Sequence, residues 1–422
     1  MRTIEGYNVK IFTDNIEDTA LDQIKQLLSI DVFSDCKIRI MPDVHTGAGC
    51  VIGFTGDLGD KVIPNIVGVD IGCGMLVQPF ICNNPIDFHA LNEYILRAIP
   101  SGRDFRDENY LPLSQKYSDI YQNAKQLILQ LRCYRELKEV RRLYKSIGSL
   151  GSGNHFIELD KDESDLYYLV VHTGSRNLGK QVADIYQKLA VKCQSGWDKL
   201  MVEKNRIIEE YKQAGRKSEL QDVIRNLHNS FKTCKLTIPQ DLCYLQGQFR
   251  EDYLHDMHIC QCWAQINRKL IVNLIMDFIV GKGVVSSEEH FRPFESVHNY
   301  IGNDNIIRKG AISARLGEKC IIPLNMRDGS LICIGKGNED WNFSAPHGAG
   351  RIMSRSQAFK EISLEDFKKS MEDVYSETVT EYTKDESPMV YKSKHEIMDN
   401  INDTVDIENV IKPVFNFKAA DL

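Results

Sequence analysis

A chain of 422 residues, 42% hydrophobic and 26% charged, can bury a sizeable core as one large domain or as two or three ordinary ones. It holds no apolar run of the roughly eighteen residues that a transmembrane helix takes, and membrane partners are not expected. A net charge of −7 argues against broad, non-specific affinity for nucleic acid, which needs a cationic face, but leaves room for a local basic groove.

The first fifteen residues carry no apolar segment of the secretory type. Together with twelve scattered cysteines, this points to a reducing compartment, and the cytoplasm is the expected location. Strand-like runs at residues 9–12 and 37–41 flank a helical pattern at 20–28. Asp43 and His45 follow, one residue apart and so on one side of an extended chain. They read equally as groups that orient a neighbouring ligand or as an ordinary polar turn. The apolar run 62–67 reads as a buried strand leading into the glycine-rich stretch 68–74, where Asp70 and Cys73 lie three residues apart. That spacing suits half of a metal site, and equally a strand end with a buried thiol.

Residues 86–146 read as mostly helical, with a polar break near 102–112. The turn 148–153 then runs into an alternating strand with His155, Ile157 and Leu159 on one face and Phe156 and Glu158 on the other. A strand at 166–171 leads to a second polar turn containing His172 and Arg176. Two apolar stripes with Gly215 between them predict a helical hairpin at 196–233, read as an insertion within the domain. A long helix is predicted from 246 to 279. Its His255 and His258, beside Cys260 and Cys262, read as core or surface groups because they lack the glycines and carboxylates of the other histidine sites. His298, strands around 309–334, His347 in a glycine loop, and a final strand at 411–417 complete the chain.

Asp70, Cys73, His155, His172 and His298 suffice for two divalent ions if the Cys73 thiolate bridges them, with Asp70 and His155 on one ion and His172 and His298 on the other. Paired ions suit phosphoryl chemistry. His347 is then left over as a nucleophile able to form a phosphoramidate, with Gly348, Ala349 and Gly350 giving a phosphate room to approach.

Seven ordered blocks carry a resemblance: MPDVH, GVDIGCGM, GSGNHFIEL, HTGSR, VHNY, RKGA with IPLNMRDGS, and SAPHGAGR. In order and spacing they resemble the RtcB-type RNA ligases, from about residue 40 to Lys418. The resemblance implies a mixed α+β fold particular to that family, a single domain over 1–422 with a central dimetal cleft. It implies a GTP- and Mn²⁺-dependent RNA ligase that joins 2′,3′-cyclic phosphate or 3′-phosphate ends to 5′-hydroxyl ends. Two Mn²⁺ would be held by Asp70, Cys73 and His155 and by Cys73, His172 and His298, with His347 carrying GMP. Guanylate-contacting positions would be Asn154, His155, Phe156, Ile157, Glu158, His298, Asn299, Pro323, Leu324, Asn325, Met326, Ser330, His347, Gly348, Ala349, Gly350, Tyr391 and Lys418. A Glu158 carboxylate matches guanine's N1–H and N2–H donors, and Arg176, Arg351 and Arg355 would meet RNA phosphates. A monomer is implied; the RNA sealed and any activating protein are left open.

The chain departs from the family pattern at Pro346, where a serine is common, and at Leu324-Asn325, which replaces a small Gly-Ser pair. It also continues four residues past Lys418 and is shorter than the archaeal and animal forms. The rival readings are a two-metal phosphodiesterase or phosphatase with no covalent step, and a non-catalytic binder of RNA ends.

Overall fold

Strand pairing gathers distant parts of the chain into one antiparallel, seven-stranded sheet. In spatial order its strands are Phe294–Val297, Gly74–Phe80, Tyr167–Thr173, Phe156–Lys161, Val405–Lys418, Gly329–Gly335 and Lys319–Asn325. The computed structural model describes residues 1–106, 115–231, 234–285 and 291–419. The two outermost strands approach each other, and the Ile321 N–H donates to the Ser296 hydroxyl at 2.9 Å, so the sheet curls towards closure. Alternation along the strands sorts the side chains. Met75, Val77, Phe156, Tyr168, Val170, Ile321, Ile332 and Ile411 fill the inner face. Ile157, Leu159, Leu169, Val171, Phe415 and Phe417 form an outer core with Ile271, Val272, Ile275 and Ile279 of the long helix Gly247–Gly281.

A second, six-stranded sheet runs in the order Arg2–Thr3, Val9–Ile11, Ile38–His45, Ile52–Gly56, Ile307–Lys309, Tyr300–Ile301. The short pair Ala311–Ser313 and Ser344–Pro346 brings His347 up to this sheet. The result is a mixed helix-and-strand architecture in one large domain. All twelve cysteines are free, and no described helix is long and apolar enough to cross a membrane.

Most elements form where the periodicity places them, including the long helix and the final strand. Of the run 62–67 only Val62 is in a strand, the short Lys61–Val62. The last four residues are a one-turn helix, Pro64–Val67, because Pro64 sits at the first helical position with its φ preset and Gly68, at φ +99°, ends the turn. Helices Asp198–Gln213 and Leu220–Ser230 pack against each other with Gly215 at φ +70° between them. Residues 107–112 of the expected polar break and 232–233 of the expected hairpin lie outside the described residues.

Buried Arg268 of the long helix connects this scaffold to the glycine loop. Its guanidinium donates to the Gly72 carbonyl at 2.8 Å, to the Thr173 carbonyl at 2.6 Å and to Glu295 at 2.5 Å. Removing it takes a donor from two buried carbonyls and leaves the Glu295 carboxylate with the Gln265 amide, at 3.0 Å, in place of its cation. Arg268→Ala is expected to lower the unfolding free energy by about 3–5 kcal/mol, read from a shifted denaturant midpoint.

Candidate metal centre and nucleotide cavity

Antiparallel pairing puts the start of one strand beside the end of the next. Cys73 immediately precedes strand Gly74–Phe80, His155 precedes Phe156–Lys161, His172 lies at the end of Tyr167–Thr173, and His298 follows Phe294–Val297. Four neighbouring strands thus deliver a thiol and three imidazoles to one end of the sheet. All four side chains are buried. Asp70 joins them from the glycine loop, seated against Gly174, where an added Cβ would lie 2.1 Å from its Oδ1. Two groups with ligand atoms mutually within 4.8 Å result: Asp70, Cys73 and His155, and Cys73, His172 and His298. Cys73 belongs to both.

Hydrogen bonds fix the imidazole tautomers. His155 Nδ1 donates to the Leu150 carbonyl at 2.9 Å, and His172 Nδ1 donates to the Asn154 carbonyl at 3.0 Å. In the neutral rings each Nε2 then carries a lone pair. His155 Nε2 lies 2.9 Å from Asp70 Oδ2 and 3.5 Å from Cys73 Sγ, and His172 Nε2 lies 3.3 Å from the same sulfur. Electron pairs converging this way call for a cation. Buried His298 Nδ1 has no partner among the described residues. Burial, aided by neighbouring histidines and cationic side chains, keeps the His172 and His298 pKa values well below the usual imidazole range, so both rings are neutral donors. Burial, followed by the Asp70 charge, pushes the Cys73 thiol well up. The Asp70 carboxyl is held low despite burial, by its contacts with His155 and Cys73 and by the Arg176 charge. This donor set, one thiol, one carboxylate and three imidazoles, fits a divalent pair bridged by Cys73.

His347 stands beside the cluster, its ring centroid 4.9 Å from that of His298. Fully buried Asp43 accepts from His347 Nδ1 at 2.7 Å and from its backbone N–H at 3.1 Å. Asp43 therefore orients His347 and leaves Nε2 with the lone pair. His45 Nδ1 donates to the Asp43 carbonyl at 2.9 Å; burial lowers its pKa to about 4, so it is neutral. Of the two readings left open for Asp43, the structure selects the orienting one. Gly350, at φ +74°, lets its backbone pack on Asp43, whose carbonyl oxygen an added Cβ would meet at 2.4 Å.

A cavity of about 610 Å³ opens next to these groups. Asn154, Phe156, Glu158, the 323–326 segment, His347, Gly348, Ala349, Gly350, Tyr391 and Lys418 all line it. Ile157 does not: strand alternation turns its side chain into the outer core. Ser330, paired with Pro323 across the hairpin, is buried behind the lining. Asn299, at φ +61°, braces the glycine loop, donating from Nδ2 to the Asp70 carbonyl at 3.3 Å and accepting from Gly310 N–H at 2.9 Å. Glu158 accepts from Asn416 Nδ2 at 2.6 Å. Burial pushes its carboxyl up, against hydrogen bonds from Asp160 and Asn416 and the Lys418 charge.

The arginines are engaged differently from the sequence expectation. Arg176 donates to the Gly102 carbonyl at 2.8 Å and to Ser149 Oγ at 3.2 Å, so its guanidinium braces the 148–153 turn. Arg351 and Arg355 do line the cavity, but both pair with Glu386, at 3.4 and 3.2 Å. Glu386 also holds Lys418 at 2.7 Å and accepts from the Tyr391 hydroxyl at 2.7 Å. Arg308 and Lys309 are buried and bound to Asp304 and to backbone carbonyls, so they form no basic surface. His255 bonds Asp256 and His258 faces Cys262, in neither of the two candidate metal groups. The sequence reading missed Glu386 and Asn416. Asn416 lies two residues before Lys418 on the final strand, and that spacing alone places it on the same face. In the departing pair, Leu324 is a core residue and Asn325 caps the hairpin turn, accepting from the Arg327 and Asp328 N–H groups.

Comparison with known proteins agrees with this geometry. A family model described as tRNA-splicing ligase RtcB matches residues 23–419. The RNA-splicing ligase RtcB of Escherichia coli K12 is 30% identical, with 99% of this chain and 98% of that protein covered. The tRNA-splicing ligase RtcB of Methanococcus maripaludis is 24% identical, covering 84% and 81%.

If Cys73 bridges two ions, binding must release its proton, so affinity rises with pH. Manganese titration of the purified chain is expected to show two ions bound with proton release. Cys73→Ala should weaken both sites, whereas His298→Ala should weaken one. Equal retention of both ions in Cys73→Ala would exclude the bridge.

Proposed function

From the premise that this chain belongs to the RtcB family of tRNA-splicing ligases, we propose that it is a GTP- and Mn²⁺-dependent RNA ligase joining 2′,3′-cyclic phosphate or 3′-phosphate ends to 5′-hydroxyl ends. The observation that carries this reading is His347, held at Nδ1 by buried Asp43, in ring contact with His298 of the candidate metal cluster, and lining one cavity with His172 and the Glu158 carboxylate. In a hydrolase without a covalent step the same Asp–His pair would serve as a general base, and a guanylate adduct on His347 tells the two apart.

In the proposed sequence His347 Nε2 forms a bond to the α-phosphorus of GTP while the bond to the β-phosphate oxygen breaks and pyrophosphate leaves. Asp43 accepts from Nδ1 throughout and stabilises the ring as positive charge develops on it. A cyclic RNA end is first opened by water to a 3′-phosphate. An oxygen of that phosphate takes GMP from His347, and the 5′-hydroxyl then displaces GMP to form the phosphodiester. Two Mn²⁺ held by Asp70, Cys73, His155, His172 and His298 would neutralise phosphate charge. Lys418, released from Glu386 as an anion enters, supplies a further cation.

Phe156 offers a ring beside the base, and Glu158 accepts from guanine N1–H and N2–H. Buried Asn416 Oδ1, without a partner among the described residues, is a second acceptor at the same edge. One chain supplies every residue of the site, in keeping with a monomer, and twelve free cysteines suit the cytoplasm.

Incubation with GTP and Mn²⁺ is expected to add the mass of one GMP to the intact protein, as an acid-labile adduct absent from His347→Ala. Asp43→Ala should slow adduct formation by on the order of 10²–10⁴-fold. Absence of the adduct from manganese-loaded wild type would overturn the covalent mechanism.

A further inference from the structure

The strand that supplies Phe156 and Glu158 has a third inward position, Asp160, which lies outside the cavity lining. Asp160 is 0% exposed, and neither of its carboxyl oxygens accepts a hydrogen bond from an N–H or hydroxyl donor among the described residues. Two positions away on the same face of the strand stands the buried Glu158 carboxyl, whose charge acts on it. Two carboxylates side by side and out of water repel each other and lose their hydration, so the pair keeps one proton between them.

Surroundings decide which carboxyl keeps it. Glu158 has the Asn416 amide at 2.6 Å and the nearby Lys418 ammonium to stabilise a negative charge. Asp160 has Glu158 alone, and its cross-strand neighbours, Tyr168 and Pro413, bring it no donor: the Tyr168 hydroxyl is turned to Asp162 at 2.9 Å. Burial and the Glu158 charge drive the Asp160 pKa well above the usual carboxylate range. The proton therefore belongs on Asp160 and the charge on Glu158.

We propose that Asp160 is a positioning residue for base selection: as a neutral acid it donates to Glu158 from behind and fixes the Glu158 carboxylate as a pure acceptor facing the cavity. This rests on the reading of Glu158 as the partner of the guanine edge. A Glu158 carboxylate accepts from guanine N1–H and N2–H, but turns lone pairs towards adenine N1. A protonated Glu158 would donate to adenine N1 and blur that choice. Holding the proton on Asp160 keeps the cavity side of Glu158 free of donors.

The test compares GTP and ATP as donors for adduct formation on His347 in wild type, Asp160→Asn, Asp160→Leu and Glu158→Gln. Asp160→Asn retains a donor to Glu158 and should keep the GTP preference. Asp160→Leu removes the donor and should raise KM for GTP about tenfold or more, with kcat at saturation unchanged and the preference over ATP reduced to match. An unaltered KM and preference in Asp160→Leu, with Glu158→Gln impaired, overturns the role of Asp160 alone. An unaltered preference in Glu158→Gln overturns the base reading itself. Infrared difference spectra of wild type against Asp160→Asn give a check without activity. A protonated-carboxyl carbonyl band at neutral pH supports the proposal, and its absence overturns it even if Asp160→Leu fails to fold.

Discussion

The Arg268 guanidinium, buried in the long helix, is the joint on which the site hangs. It reaches the Gly72 carbonyl in the glycine loop, the Thr173 carbonyl at the strand end that carries His172, and Glu295 in the strand that leads to His298. Three of the segments that supply the cluster are thereby tied to one helix. Burying a cation is costly unless its donors are matched, and here two carbonyls and a carboxylate match them. Asn299 adds a second brace, its backbone carbonyl accepting from Gly72 N–H at 3.0 Å. The backbone that carries the cluster is thereby held by contacts that do not involve the candidate ligand atoms.

A single device prepares three imidazoles. His155 gives its Nδ1 proton to Leu150, His172 to Asn154 and His347 to Asp43. In each ring the other nitrogen is left with a lone pair: two converge on Cys73, and the third belongs to His347, which lines the cavity. The acceptors differ. The two rings at Cys73 give their protons to neutral carbonyls, whereas a carboxylate stands behind His347, as the proposed covalent step requires of a ring that becomes positive.

Charge in the cavity is balanced before any ligand enters. Glu386 gathers Arg351, Arg355, Lys418 and the Tyr391 hydroxyl, and those cations keep its carboxyl low despite burial. This explains how a chain with net charge −7 presents cations at this cavity without a broad basic face. An anionic ligand would compete with one carboxylate for those cations.

Local pattern was enough to read the long helix, the final strand and the alternation that turns Phe156 and Glu158 away from Ile157, because each depends on neighbours in the chain. The candidate metal ligands were legible for a related reason: cysteine, histidine and aspartate in glycine-rich turns are conspicuous, and the ordered blocks pointed to one family. The helix at Pro64–Val67 was missed because so short a run suits strand and helix alike, and the proline at its start tipped the balance. Glu386 and Asp160 carried no such mark, and Asp43 was singled out without the partner it holds. Their roles come from what lies across space: His347, 304 positions from Asp43; Lys418, on the final strand; and the Glu158 carboxyl, beside Asp160 away from water. Residue type and spacing settle which groups are able to ligate, attack or accept. Which tautomer, which ion pair and which of two carboxyls keeps a proton depend on burial and on contacts between distant segments, and those exist only once the strands have paired.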